Sequence, residues 1–221
     1  TTMIINKLLL WAAFGLKGDP FKKSPFFETA DYTRVKTVTK MAMNDNAVVA
    51  IIGERGIGKT HAVKQALPGQ CKLISTASLL DTGKISITHI TELIITELTT
   101  REKPRRSMVA RYRQMARLLY ETSRIQKVVL LVEECHLLHS KTAGAMKRLQ
   151  ELEYNGRGGL ITTFMVGQAI PWRSKGLDDL RLRSDILLME GITKPEAASW
   201  INRSVGRFFK PDALTALLSV D

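Results

Sequence analysis

At 221 residues the chain has room for one α/β domain and a small appendage. Its 44% hydrophobic residues suffice for a core, and a formal charge of +12 points to a polyanionic partner or an anionic membrane surface. With only Cys71 and Cys135, the composition excludes a disulfide framework and a zinc site, and fits a reducing cytoplasm.

In chain order, Leu8–Phe14 is the most apolar stretch. It is too short to span a bilayer and no signal-peptide cleavage site follows, so it reads as an amphipathic or docking helix ending near Gly15. Residues 14–34 read as irregular, with exposed aromatics; Pro20 or Phe21 is placed either to pack on a purine or to cover a core edge. Asp31 to Met43 has helical spacing, with Val35, Val38 and Met41 or Ala42 along one side, and Asn44-Asp45-Asn46 forms a turn.

Ala47–Ile52 is a short apolar strand, and His61–Leu67 reads as a helix. Between them, Gly53-Glu54-Arg55-Gly56-Ile57-Gly58-Lys59-Thr60 fits G-x-x-x-x-G-K-[ST] without a mismatch. The glycines let backbone N–H groups turn toward an anion, and the helix N-terminus adds partial positive charge. Gly53 to His61 are therefore the expected nucleotide-binding residues, with Lys59 reaching the β- and γ-phosphates and the Thr60 hydroxyl binding Mg²⁺.

After Pro68-Gly69, Cys71–Ser75 reads as a strand and Ser78–Ile87 as a polar loop carrying Lys84. A helix follows, with Ile90, Leu93, Ile94 and Leu98 at helical spacing and Ser86 or Thr88 as its cap. From Arg101 to Lys127 there are nine Lys/Arg against two Glu. Arg101, Lys103, Arg105 and Arg106 surround Pro104 in a loop and are candidates for phosphate contacts. In the helix beyond, Met108, Tyr112, Met115 and Leu119 form one face; Arg106, Arg113, Arg117 and Arg124 form a stripe opposite, the usual pattern of a solvated face.

Val128–Val132 is expected as a buried parallel strand, with Glu133 and Glu134 emerging at its C-terminal end, where open α/β sheets bind ligands. Glu133 would hold Mg²⁺ and Glu134 would polarise the attacking water. Ser140 is expected to cap a helix from Lys141 to Tyr154, ended by Gly156, Gly158 and Gly159. Leu160–Val166 is the next strand and runs into Gly167-Gln168; Gln168 either touches the γ-phosphate or attacking water, or is a loop amide. Arg181 or Arg183, just before the strand Ile186–Met189, either reaches a neighbouring subunit's nucleotide or forms a structural salt bridge. Thr193-Lys194-Pro195-Glu196 starts a helix with Pro195 at its first position, and Lys210-Pro211-Asp212 starts another. The expected fold is α/β, a five-stranded parallel sheet flanked by helices, with an N-terminal helix and linker (1–34), a core (35–190) and a partial helical lid (191–221).

The phosphate loop, the apolar strand ending in Glu133-Glu134, Gly167-Gln168, the arginine before the last strand and the two-helix tail together resemble the AAA+ ATPases, over about residues 14–218. More narrowly, the chain is similar to the helper ATPases of DNA transposition, the phage Mu transposition protein B and its IstB-, TniB- and TnsC-like relatives. Its Phe14-Gly15-Leu16…Asp19-Pro20-Phe21 opening is similar to ATPases of the ExeA type. The resemblance implies ATP and Mg²⁺ as cofactors and a homo-oligomer, ring or filament, formed with ATP. It implies double-stranded DNA bound without strong sequence preference, a transposase as partner, and no membrane. By position, Lys84, Thr88, Lys103, Arg105 and Arg106 would contact DNA. Glu133 departs from the family's usual Asp, and no Gly-x-Pro-Arg-like arginine occurs before Asp221. Rival expectations are an ExeA-like secretion or envelope ATPase acting on proteins, and a replication loader or initiator ATPase.

Overall fold

The computed structural model describes residues 26–82, 84–138, 140–168, 185–205 and 212. The chain divides into two compact units, Asp31–Gly191 and a smaller one made from the residues on either side of it. The expected Leu8–Phe14 helix, Pro20, Phe21 and the helix from Lys210, Asp212 apart, lie outside the described residues.

The larger unit is built on five parallel strands: β1 (Val48–Ile52), β2 (Cys71–Ser75), β3 (Lys127–Val132), β4 (Thr162–Gly167) and β5 (Asp185–Leu188). Their spatial order is β2-β3-β4-β1-β5. β1 and β4 are buried along their whole length and β3 after its first residue, which is why these three read as unbroken apolar or Thr-rich runs. The outer strands β2 and β5 are more open. Register pairs Ile52 with Gly167 and Val132 with Met165, so the C-terminal ends of β1, β4 and β3 lie side by side.

Among the described residues, the helices of this unit are α1 (Ala30–Asp45), α2 (Lys59–Ala66), α3 (Ile87–Leu98), α4 (Met108–Ser123) and α5 (Ser140–Gln150). α1 buries Val35, Thr39 and Ala42, whereas Met41 is exposed, so Ala42 takes the inward position and Asn44-Asp45 continue the helix instead of turning. Its first turn is anchored by Asp31, whose Oδ2 accepts from the backbone N–H groups of Glu190 (2.9 Å) and Gly191 (2.8 Å). The expected polar loop after β2 is mostly structured: Thr76–Thr82 form a 3-10 helix, and Ile85 is fully buried and bridges to Leu138. Ser86, not Thr88, caps α3. Its Oγ accepts from His89 N–H, and His89 Nδ1 accepts from Ser86 N–H, a reciprocal capping box.

On α4 the buried stripe is Arg111, Gln114-Met115 and Leu118-Leu119. Of the expected face, Met115 and Leu119 are fully buried and Tyr112 packs, half-buried, against the core, whereas Met108 is exposed and Arg111, Gln114 and Leu118 widen the stripe. α5 stops at Gln150, short of Tyr154. Tyr154 instead pairs with Arg157 across Asn155-Gly156, both at positive φ, as a two-residue hairpin turn requires.

In the smaller unit, α6 (Lys194–Val205) starts one residue earlier than expected, leaving Pro195 second in the helix. Thr193 and Glu196 make a capping box in which Glu196 Oε2 accepts from Thr193 N–H, and Glu196 Oε1 also accepts from Ala30 N–H (2.7 Å). These bonds hold the Glu196 carboxyl below the usual carboxylate range. Phe26 and Phe27, expected to be exposed, are half-buried.

Candidate nucleotide site

The strand order makes the site. Because β4 lies between β1 and β3, the loop after β1, Gln168 after β4 and Glu133-Glu134 after β3 all leave the same edge of the sheet next to one another. Arg55, Gly56, Gly58, Lys59, Thr60 and His61 line a cavity of about 290 Å³ there; Glu134, Val166 and Gln168 close its other side.

Gly56 and Gly58 adopt φ of 86° and 88°, left-handed conformations that favour glycine. Gly58 is also the N-cap of α2 and offers no side-chain cap, so the first-turn N–H groups of that helix remain available to an anion. Gly53 is required for a different reason: a Cβ there would meet Ile57 Cδ1 at 2.5 Å and the Met189 carbonyl oxygen at 2.6 Å. Ile57 thus packs the loop down onto β5's end, while Glu54 and Arg55 stay exposed. Lys59 Nζ donates to the Gly53 carbonyl at 3.1 Å and to the Glu54 carbonyl. Burial pushes its ammonium below the ordinary value, against the Glu134 carboxylate, which raises it.

The acid pair splits. Glu134 sits at φ 48° and lines the cavity, with His136 Nδ1 at 3.3 Å from its Oε2. Glu133 is held on another side: its Oε1 accepts from Ser75 Oγ at 2.7 Å and from Lys64 Nζ at 3.0 Å, and its N–H donates to Thr76 Oγ1. Gly167 joins the two halves. Its carbonyl accepts from Gly53 N–H at 3.2 Å, and a Cβ on it would stand 2.5 Å from Cys135 Sγ. Cys135 is buried there, and burial, with Glu134 nearby, pushes its thiol up to about 12.

The AAA domain family matches residues 42–172, well over half of the chain. The chain belongs to the AAA domain family. No curated protein matches it. Among solved structures, the AAA domain is similar to the Cdc6p protein of Pyrobaculum aerophilum, at 13% identity and a TM-score of 0.59, with 89% of this chain and 53% of that one covered. It is similar also to the Orc1 protein of Aeropyrum pernix, solved in complex with DNA, at 10% identity, a TM-score of 0.59, and 89% and 56% coverage. The chain thus spans about half the length of these proteins, and at such identity the likeness is one of fold. The match reaches the AAA domain and the α/β sheet; it does not single out transposition helpers.

Arg181 and Arg183 lie outside the described residues. Lys84 is exposed just before the buried anchor Ile85, and Thr88 is half-buried in the first turn of α3. Lys103, Arg105 and Arg106 are exposed on the segment leading to α4. Of the arginine stripe, Arg117 is not a solvated charge; it pairs with Glu102 and Glu121. Sequence reasoning passed over the roles of Ser75, Lys64, Arg111 and Gln114, and saw Gly167 only as the residue before Gln168. Gly167 carried a local signal, as an isolated glycine closing a strand, whereas the other four carried none. Among the described residues no helix is long and apolar enough to cross a membrane, and no cluster of three or more His, Cys, Asp or Glu forms a metal cage. Magnesium at a phosphate site needs only one or two protein oxygens beside the phosphates, and Thr60 in the cavity fits that demand.

Proposed function

We propose that this AAA domain hydrolyses ATP and couples its nucleotide state to sequence-indifferent binding of double-stranded DNA, as a regulator that assembles on target DNA and recruits a transposase. One observation carries the ATPase reading: Lys59, Thr60, Glu134 and Gln168 share a single cavity at the sheet's C-terminal edge. In it, the Gly56–Gly58 backbone and Lys59 hold the β- and γ-phosphates. Glu134 accepts a proton from the attacking water, and Gln168 orients that water or the γ-phosphate. Thr60 in the cavity would hold Mg²⁺ directly and Glu133, held by Ser75 and Lys64 outside the cavity lining, would do so through water; the ion would supply charge neutralisation on the phosphates. Arg181 or Arg183 acts in trans on a neighbouring subunit's nucleotide.

Support for the DNA reading comes from the +12 charge and from Lys84 and the exposed cations of residues 101–106. The Aeropyrum pernix Orc1 protein, of like fold, was solved with DNA. The test is binding to a fluorescent random-sequence duplex with ATP, ADP or no nucleotide, across a salt series. The expected result is binding that needs ATP and weakens steeply with salt. ATPase activity without DNA binding in any nucleotide state would overturn the DNA reading and favour an ATPase acting on protein partners.

A further inference from the structure

The segment Glu102–Arg106 has its backbone, not its cations, fastened to the fold. Gln114, on α4 and only 6% exposed, accepts from Arg105 N–H at 3.0 Å and donates to the Lys103 carbonyl and to Glu102 Oε2, both at 3.1 Å. Arg111, 7% exposed, donates through Nε to the Arg105 carbonyl at 2.9 Å and through Nη2 to the Arg106 carbonyl at 3.4 Å. The same Arg111 is tied to Glu92 on α3 at 3.0 Å. Two buried polar side chains, one of them charged, thus direct five hydrogen bonds at one surface segment. The segment's one acid, Glu102, is held by Arg117 and Gln114, which push its carboxyl below the usual range.

What remains free is positive. Arg101, Lys103, Arg105 and Arg106 are all exposed, and Arg113 on α4 lines, with Arg105, one cavity of about 810 Å³. A fold that needed these charges for its own stability would pair them. Fixing the backbone while leaving the heads in water is how a surface is pre-ordered for an anion, since the ordering entropy is spent on folding and not on binding.

We infer that Gln114 and Arg111 are positioning residues that hold Lys103, Arg105, Arg106 and Arg113 as a preformed ridge for the phosphate backbone of duplex DNA. The inference rests on the DNA reading above and names its surface and its support. Neither positioning residue touches the ligand; both act through the segment's backbone. Arg113 joins the contact set because it shares the Arg105 cavity, although its helical position alone suggests only a solvated charge.

Three proteins test it: wild type, Gln114→Leu, and the triple variant Lys103→Ala, Arg105→Ala, Arg106→Ala. Each is measured for nucleotide affinity and for binding to a random-sequence 30-mer duplex with ATP across a salt series, and wild type and Gln114→Leu also for trypsin cleavage after Arg101, Arg105 and Arg106. Gln114→Leu is expected to keep wild-type nucleotide affinity, to be cleaved in the segment about tenfold faster, and to bind duplex about three- to tenfold more weakly. The triple variant should lower the slope of log K against log salt by about 3. Wild-type duplex affinity in Gln114→Leu, or an unchanged salt slope in the triple variant, would overturn the inference while leaving the DNA reading intact. Absence of duplex binding by wild type would overturn both. Should Gln114→Leu not fold, wild type carries the test through trypsin protection by saturating duplex. Cleavage after Arg105 and Arg106 must then slow, and an unchanged rate would refute the ridge.

Discussion

Gly167→Ala offers the sharpest test of how the site is assembled. The added Cβ would stand 2.5 Å from Cys135 Sγ, 3.2 Å from Cys135 N and 3.5 Å from His136 N, so the turn that carries Glu134 must move. Overpacking of this kind costs about 1–3 kcal/mol. For a chain of this length that is a fall in Tm of about 2–12 °C. Part of the clash is with a side-chain atom that can be removed. Cys135→Ala deletes Sγ and leaves the backbone approaches at 3.2 and 3.5 Å. We therefore expect the double variant Gly167→Ala, Cys135→Ala to recover about 1 kcal/mol relative to the sum of the single changes. The assay is a double-mutant cycle by urea unfolding, run beside ATP turnover. Gly167→Ala should lower turnover more than nucleotide affinity, because it displaces Glu134 and leaves the Gly56–Gly58 backbone in place. Additive stabilities within about 0.3 kcal/mol, or wild-type turnover in Gly167→Ala, would refute the packing argument.

Three further outcomes follow from the same geometry. Lys59→Ala removes the ammonium that converges on the loop, and should abolish ATP-dependent DNA binding; full ATP-dependent binding by that variant would sink the coupling mechanism. Glu134→Gln keeps the shape of the side chain but not its basicity, so it should bind ATP normally and turn over about 10²–10⁴-fold more slowly in a steady-state phosphate-release assay. The Cys135 thiol, pushed from its ordinary 9.0 up to about 12, contributes stability that is fully present below pH 9 and is lost as pH rises toward 12. Unfolding curves at pH 8 and pH 11 should show a smaller alkaline loss in Cys135→Ala than in wild type, and equal losses would count against a buried thiol.

Much of the candidate nucleotide site was legible because it is written in contiguous residues. The run Gly53–Thr60 specifies its own conformation: positive φ at Gly56 and Gly58 is a local requirement, and the helix that follows begins at Lys59. The same holds for β3, whose apolar length announces a strand buried on both faces. What stayed hidden depends on pairs distant in sequence. Nothing near Gly167 announces that Cys135 will press against it, and nothing near Gln114 announces the backbone of Lys103 and Arg105. The helix α4 shows the limit from another side. Its apolar periodicity announced Met115, Leu119 and Tyr112 on the core side but not Leu118, which the core also covers, nor Arg111, drawn inward by partners on two other segments, while Met108 stays exposed. Asn155-Gly156, by contrast, was a readable turn signal overridden by an apparent helical pattern running to Tyr154.

The departure at position 133 has a structural counterpart. Adjacent side chains at a strand end point to opposite sides, and the left-handed turn at Glu134 sharpens that separation. Glu134 faces the loop, whereas the Glu133 carboxylate reaches across to Ser75 on β2 and Lys64 on α2. An aspartate at 133 would withdraw its oxygens by one carbon–carbon bond, about 1.5 Å, too far to keep the 2.7 Å bond to Ser75 without moving the backbone. The extra methylene therefore ties the acid strand to the far end of the phosphate-loop helix. Ser75 and Lys64 both engage Oε1, which sets the Glu133 carboxylate apart from the cavity that Glu134 lines.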